Sequence, residues 1–130
     1  MQQMQWSEWV GGQGGYPTDF SGNPNLCLVA VRGRCAQLVD NLQFLFLNIN
    51  TGQYVESPVC GKNGGSEFIY QAPAGQWIDQ VITYNNEYLQ AVEFVTNAGD
   101  RSPKFGKKAS NRKDHNMKGR RITGVRIRSG

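Results

Sequence analysis

Residues 26–49 read LCLVAVRGRCAQLVDNLQFLFLNI, two apolar, β-rich runs at 26–32 and 42–49 with a short polar segment carrying Gly33, Gln37 and Asp40 between them. Runs of this length, rich in Val, Leu and Phe and bounded by turn residues, predict strands. The same signature recurs at 67–70, 77–84, 89–96 and 121–128. Turn clusters lie between the runs at 11–15, 21–25, 48–52, 61–65, 72–75 and 97–100, each containing Gly, Asn or Pro. No segment sustains a 3.6-residue apolar period, so the pattern predicts an all-β chain. With 130 residues, 16 Gly and 14 aromatics, the sequence has the size and content of one turn-rich domain, 1–130.

The chain runs through one plan more than once. The first copy has Gly11-Gly12-Gln13-Gly14-Gly15, the strand at 26–32, a loop, and Val39-Asp40-Asn41-Leu42-Gln43-Phe44. The second has Gly61-Lys62-Asn63-Gly64-Gly65, the strand at 77–84, a loop, and Leu89-Gln90-Ala91-Val92-Glu93-Phe94. A third is partly present at 121–130, where the sequence stops. Three repeats predict three sheets, each burying one face in a shared interior.

The paired GGxGG loops, the stretch VRGRCAQLVD at 31–40, VEFVTNAG at 92–99 and ITGVRIRSG at 122–130 together resemble the jacalin-related lectins, from about Trp9 to Gly130. The resemblance rests on the order and spacing of these pieces, since a lone GGxGG is common in loops. It implies a β-prism of three antiparallel Greek-key sheets with pseudo-threefold repeats, the last incomplete, that binds carbohydrate and catalyses nothing. It also implies where a sugar sits: a glycine loop faces a GxxxD-type loop, whose carboxylate and backbone amides hold one pyranose. Carried onto this sequence, the complete pair is Gly64 and Gly65 against Ala36, Gln37, Leu38 and Asp40. Asp40 would accept from sugar hydroxyls, Gln37 and Leu38 would donate through backbone N–H, and the glycines would form the facing wall. Ala36 departs from the family's Gly, an expected restriction wherever φ must be positive. Gly14 and Gly15 form a second, weaker candidate, because the loop that should face them lies past Gly130; a structural turn is the favoured reading, with the strand at 5–10 one way to fill the gap. In the second copy Gln90 replaces Asp40, and an amide accepts less strongly than a carboxylate. The resemblance favours mannose-type sugars.

The net charge of +4 hides a polarity: residues 101–130 hold 11 of the 14 Lys and Arg and one acid, a net of +10 against −6 for the first hundred. Lys104, Lys107, Lys108, Arg112, Lys113, Lys118, Arg120 and Arg121, with Arg101, Arg126 and Arg128, compose a basic stretch suited to anions, sulfated polysaccharide above all, or else a solvated face. Some animal relatives in the resembled family pair a sugar site with such a glycosaminoglycan-binding patch. Only Phe105 interrupts the run as an aromatic, which disfavours nucleic acid. The expected partners are glycans or glycoproteins, with homodimers or higher oligomers supplying avidity; the alternatives are the targeting domain of a larger pore-forming or adhesin protein, and a basic scaffold for sulfated polysaccharide or acidic lipid. No membrane-spanning run and no secretion signal is visible, although an extracellular setting suits a lectin.

Other residues fit structural roles. Cys27, Cys35 and Cys60 match no zinc spacing and read as buried thiols, with a Cys27–Cys35 or Cys35–Cys60 bridge as the alternative. Trp6, Trp9 and Trp77 read as packing residues, and His115, between Asp114 and Asn116, as a solvent-exposed loop residue. One His remote from any nucleophile gives no hydrolytic machinery, and no metal or cofactor is expected.

Overall fold

The computed structural model describes residues 6–10, 16–21, 24–61, 63–86, 88–107 and 109–129. Eleven strands are present among them and no helix: β1 Trp6–Val10, β2 Tyr16–Ser21, β3 Leu26–Cys35, β4 Val39–Asn48, β5 Tyr54–Glu56, β6 Cys60–Gly61, β7 Ser66–Gln71, β8 Ile78–Asn85, β9 Leu89–Thr96, β10 Arg112–Asn116 and β11 Gly124–Ser129. They form three sheets, ordered β5-β4-β3-β7 with β6 also on β4, β10-β8-β9, and β1-β11-β2. All pairings are antiparallel except β1 with β11, which is parallel, so β1 lies on the flank of β11 opposite β2.

Alternation explains the burial. In β4, Leu42, Phe44 and Phe46 point inward and are essentially inaccessible. They meet Leu26, Leu28 and Val31 of β3, Ile78 and Val81 of β8, Val92 and Phe94 of β9, and Ile122 and Val125 of the last segment. Residues from all three sheets thus fill one core, the arrangement a prism requires. Stacked rings tie the sheets together: Phe20 on Phe46 at 5.1 Å between centroids, Phe68 on Phe105 at 4.1 Å.

The first two sheets repeat each other in detail. A bulge between Leu28 and Ala30 recurs between Ile78 and Gln80, and a second between Arg34 and Cys35 recurs between Tyr84 and Asn85. Ser57 donates its N–H to the Phe44 carbonyl, accepts from the Phe44 N–H through Oγ and donates Oγ–H to Pro58 O. Ser102 makes the same three bonds with Phe94 and Pro103. The bridges of β9 to Arg101 and Phe105 stand where β5 and β6 stand in the first sheet.

One expectation changes. The segment carrying His115 is a strand, not a loop, and His115 is 3 % exposed, paired in register with Val81, its Nε2 3.3 Å from Thr83 Oγ1. Strand β10 escapes a hydrophobic-period reading because its one buried residue is His115, in the register position that Tyr70 holds in β7, while Lys113, in the position of Phe68, is exposed. The cysteines are free thiols, Cys27 and Cys60 buried and Cys35 half-buried, and burial pushes the Cys27 thiol pKa up. No helix among the described residues is long and apolar enough to cross a membrane, and no group of three or more His, Cys, Asp or Glu there could hold a metal.

Candidate functional site

The turn between β3 and β4 is closed by the Ala36 N–H donating to Leu38 O at 3.0 Å. Ala36 keeps an ordinary negative φ, so alanine fits the turn without the strain expected from the glycine pattern. Gln37 is exposed and Leu38 half-buried, and among the described residues their N–H groups donate to no backbone acceptor. Two residues on, Asp40 opens β4 half-buried, and among the described residues no donor bonds its carboxylate. A carboxylate with vacant lone pairs, close to vacant amide donors, is a receptor for vicinal hydroxyls.

The glycine loop stands against it. A Cβ on Gly64 would lie 3.1 Å from Asp40 Cγ and 3.3 Å from each carboxylate oxygen. Gly65 has φ +60°, and a Cβ there would lie 2.4 Å from Cys35 O and 2.8 Å from Asp40 Oδ2. Only glycine permits that approach and that backbone. Behind the loop stands Arg34, whose Nε donates to Gly64 O at 2.9 Å and Nη2 to Gly65 O at 2.8 Å, while Nη1 lies 3.4 Å from Glu67 Oε1 across the β3–β7 pairing. Arg34, Asn41, Asn63 and Glu67 also line a cleft of about 650 Å³ on the outer face of that sheet. Six residues singled out from the sequence, Ala36, Gln37, Leu38, Asp40, Gly64 and Gly65, are therefore neighbours. Arg34 was legible only as part of a motif; its signal would have been the swap to Tyr84 in the second copy.

That second copy has the same backbone plan with different chemistry. The Asn86 N–H donates to Tyr88 O at 3.1 Å, as Ala36 does to Leu38, and a Cβ on Gly106 would meet Gln90 O at 2.2 Å, as one on Gly61 would meet Asp40 O at 2.1 Å. Gln90, however, is 5 % exposed, and its Oε1 accepts from Ser110 N at 3.0 Å and Ser110 Oγ at 2.6 Å. The acceptor is engaged internally, which closes this position to a ligand hydroxyl. Gly14, Gly15 and Lys108 lie outside the described residues.

The basic stretch is not one surface. Lys104 Nζ lies 5.5 Å from the centre of the Tyr84 ring, Arg112 pairs with Tyr84 in register and sits 3.5 Å from Asp114, and Arg101 lies 3.4 Å from Glu93. The Tyr84 hydroxyl donates to Glu93 at 2.7 Å; that bond raises its pKa and Arg112 opposes the rise. The Lys107 N–H donates to Gln37 O at 3.0 Å, which sets this part of the stretch beside the Asp40 turn. Lys113 pairs with Thr83 one step further along β10. Lys118, Arg120 and Arg121 lie at the other end of the sheet: Gly119 N donates to Asp79 Oδ2, Trp77 Nε1 to Gly119 O, Arg120 Nε to Met117 O and Arg121 Nη2 to Pro24 O. Trp77 is half-buried with its indole N–H engaged by Gly119, and Tyr84 adds a second aromatic, beside Phe105, to the basic run.

Comparison with known proteins bears on the family and the fold. A family model described as the Jacalin-like lectin domain matches residues 7–130. No curated protein matches the chain. Among solved structures, AcmJRL, a mannose-binding jacalin-related lectin from Ananas comosus, superposes with TM-score 0.74 at 21% identity over 93% of this chain and 85% of that one. Malaysian banana lectin gives TM-score 0.74 at 18% identity over 92% and 85%. Artocarpin, solved with Me-α-mannose, gives TM-score 0.79 at 14% identity over 100% and 92%. At these identities the likeness is one of fold.

Proposed function

Given that the chain belongs to the jacalin-like lectin domain family, carbohydrate-binding proteins that catalyse no reaction, we propose that it holds one neutral pyranose of the mannose type between the Ala36–Asp40 turn and the Gly64–Gly65 wall. The observation that carries this reading is the Asp40 carboxylate, without a donor among the described residues and faced at contact distance by two glycines. Asp40 accepts from two ring hydroxyls, Gln37 and Leu38 donate N–H to the same oxygens, and the missing side chains at 64 and 65 make room for the ring. Mannose is the sugar named for AcmJRL and present in the artocarpin complex. A single shallow pocket binds at about the millimolar level, roughly −4 kcal/mol, so useful avidity comes from self-association or from a larger protein that carries this domain.

A second ligand class is supported by the half of the basic stretch nearest the pocket. Lys104, Lys107, Arg112 and Lys113, with Lys108 in sequence between them, form an anion surface for a sulfated glycan, held beside Gln37 by the Lys107 amide. Lys118, Arg120 and Arg121 lie past the other end of β10 and are not part of that surface. The test is a glycan array with the wild type and Asp40→Ala at low and at roughly physiological salt, where charges screen within about 8 Å. Neutral-sugar signals that survive salt and vanish in the variant support the pocket; signals only on sulfated glycans, lost with salt and indifferent to the variant, make the basic surface the functional one.

A further inference from the structure

We propose that Arg34 is a positioning residue of the sugar site, an inference that rests on the reading of the Asp40 pocket. Its guanidinium grips two consecutive carbonyls, Gly64 O at 2.9 Å and Gly65 O at 2.8 Å. A trans peptide directs its C=O and the following N–H to opposite sides. With the Gly64 carbonyl held toward Arg34, the Gly65 N–H is turned to the other side of the loop. Glycine is the residue least able to hold one orientation by itself, because both signs of φ are open to it. A planar fork with two fixed donors supplies the order that the glycines lack. Glu67, opposite Arg34 in the β3–β7 register, fixes the guanidinium from the other edge.

The second sheet acts as an internal control. Its strands repeat the first down to both bulges and the serine brackets, yet the position of Arg34 is Tyr84, that of Glu67 is Arg112, that of Asp40 is Gln90, and those of Gly64 and Gly65 are Ala109 and Ser110. Tyr84 bonds Glu93 instead, and Ser110 is tied to Gln90. The fold therefore forms without the clamp. Clamp, acceptor and glycines are present together in one copy and replaced together in the other, which groups Arg34 with the pocket and not with the scaffold.

The experiment measures methyl α-mannoside affinity and thermal unfolding for the wild type, Arg34→Tyr, Arg34→Ala, Arg34→Lys and Asp40→Asn. The expected result is an affinity loss of about tenfold or more in Arg34→Tyr and Arg34→Ala, since two charge-assisted bonds go, with unfolding temperatures close to the wild type. Arg34→Lys, able to reach one carbonyl, recovers part of the affinity, and millimolar guanidinium ion restores part of it to Arg34→Ala, responses that a purely structural role would not give. Full affinity in Arg34→Tyr alongside loss in Asp40→Asn overturns the inference and leaves the pocket standing. Affinity lost only in step with stability, with no lysine or guanidinium rescue, also overturns it. Unchanged affinity in Asp40→Asn removes the pocket reading itself.

Discussion

Adding one methyl group at Gly64 separates the pocket from the scaffold. The φ of Gly64 lies outside the left-handed region, so alanine suits the backbone there. Its Cβ would sit 3.1 Å from Asp40 Cγ and 3.3 Å from each carboxylate oxygen, a tight contact that a shift of a few tenths of an ångström relieves. The loss of chain entropy in the unfolded state favours alanine by about 0.4–1 kcal/mol, which offsets the crowding, so Gly64→Ala should unfold within a few degrees of the wild type. Binding is another matter, because a hydroxyl oxygen must come within about 2.7 Å of the carboxylate to bond it. The methyl stands in that space. Losing one hydrogen bond to a charged group costs about 1.5–3 kcal/mol, or roughly 10- to 150-fold, which takes a millimolar site out of measurable range. Gly65→Ala is the contrasting variant, since φ +60° and a carbonyl oxygen at 2.4 Å oppose any side chain. The left-handed backbone alone costs about 1–2 kcal/mol, and at roughly 3–5 °C per kcal/mol its unfolding temperature should fall clearly. The assays are titration with methyl α-mannoside, followed by amide chemical shifts, and calorimetric unfolding. Gly64→Ala binding within twofold of the wild type would refute the placement of the sugar against this wall.

Other outcomes follow from the same geometry. Ser57→Ala and Ser102→Ala each leave a buried Phe amide without its Oγ acceptor, so each should lower stability by about 1–3 kcal/mol, similarly at both sites, in denaturant melts. Gln90→Ala removes the acceptor of two Ser110 donors and should destabilise the protein in the same melts while methyl α-mannoside affinity stays unchanged. Burial first, and then the bond to Asp100, raise the Tyr70 pKa above its ordinary value of 10.0. The neutral phenol is thus favoured in the folded state; its contribution is fully present below about pH 10 and drains away above it, so the alkaline fall in denaturation midpoint should be shallower in Tyr70→Phe. Charge reversal at Lys104 and Lys107 should abolish salt-sensitive retention on heparin and spare methyl α-mannoside binding, whereas reversal at Lys118 and Arg120 should leave both unchanged.

The strands read at 26–32, 42–49, 77–84 and 89–96 were legible because each is an apolar, β-rich run that ends near a turn cluster; residues 33–35 and 39–41, read as lying between two runs, extend β3 and β4 toward each other. Strand β10 was not, since the one residue it buries is His115, whose imidazole meets Thr83 of the neighbouring strand, and the residues around it are polar and exposed. The short β5 and β6 carry too few residues to show a period and exist through pairing with β4. The six residues of the proposed pocket could be named as neighbours because the family pattern places a carboxylate opposite paired glycines. Arg34 could not, because a guanidinium acting on carbonyls thirty residues away leaves no local trace. The basic run misled in another way: contiguous in sequence, it is divided by the length of β10, whose Arg112 lies opposite Tyr84 and whose Asn116 lies opposite Gln80.

The bond from Lys107 N to Gln37 O joins the turn of one copy to the loop of the next. Its donor belongs to the main chain, so every residue except proline at 107 can make it. The side chain there can change charge, length or shape across generations of the gene without unseating the Ala36–Asp40 turn. The surface beside the turn is therefore free to vary while the turn keeps its geometry.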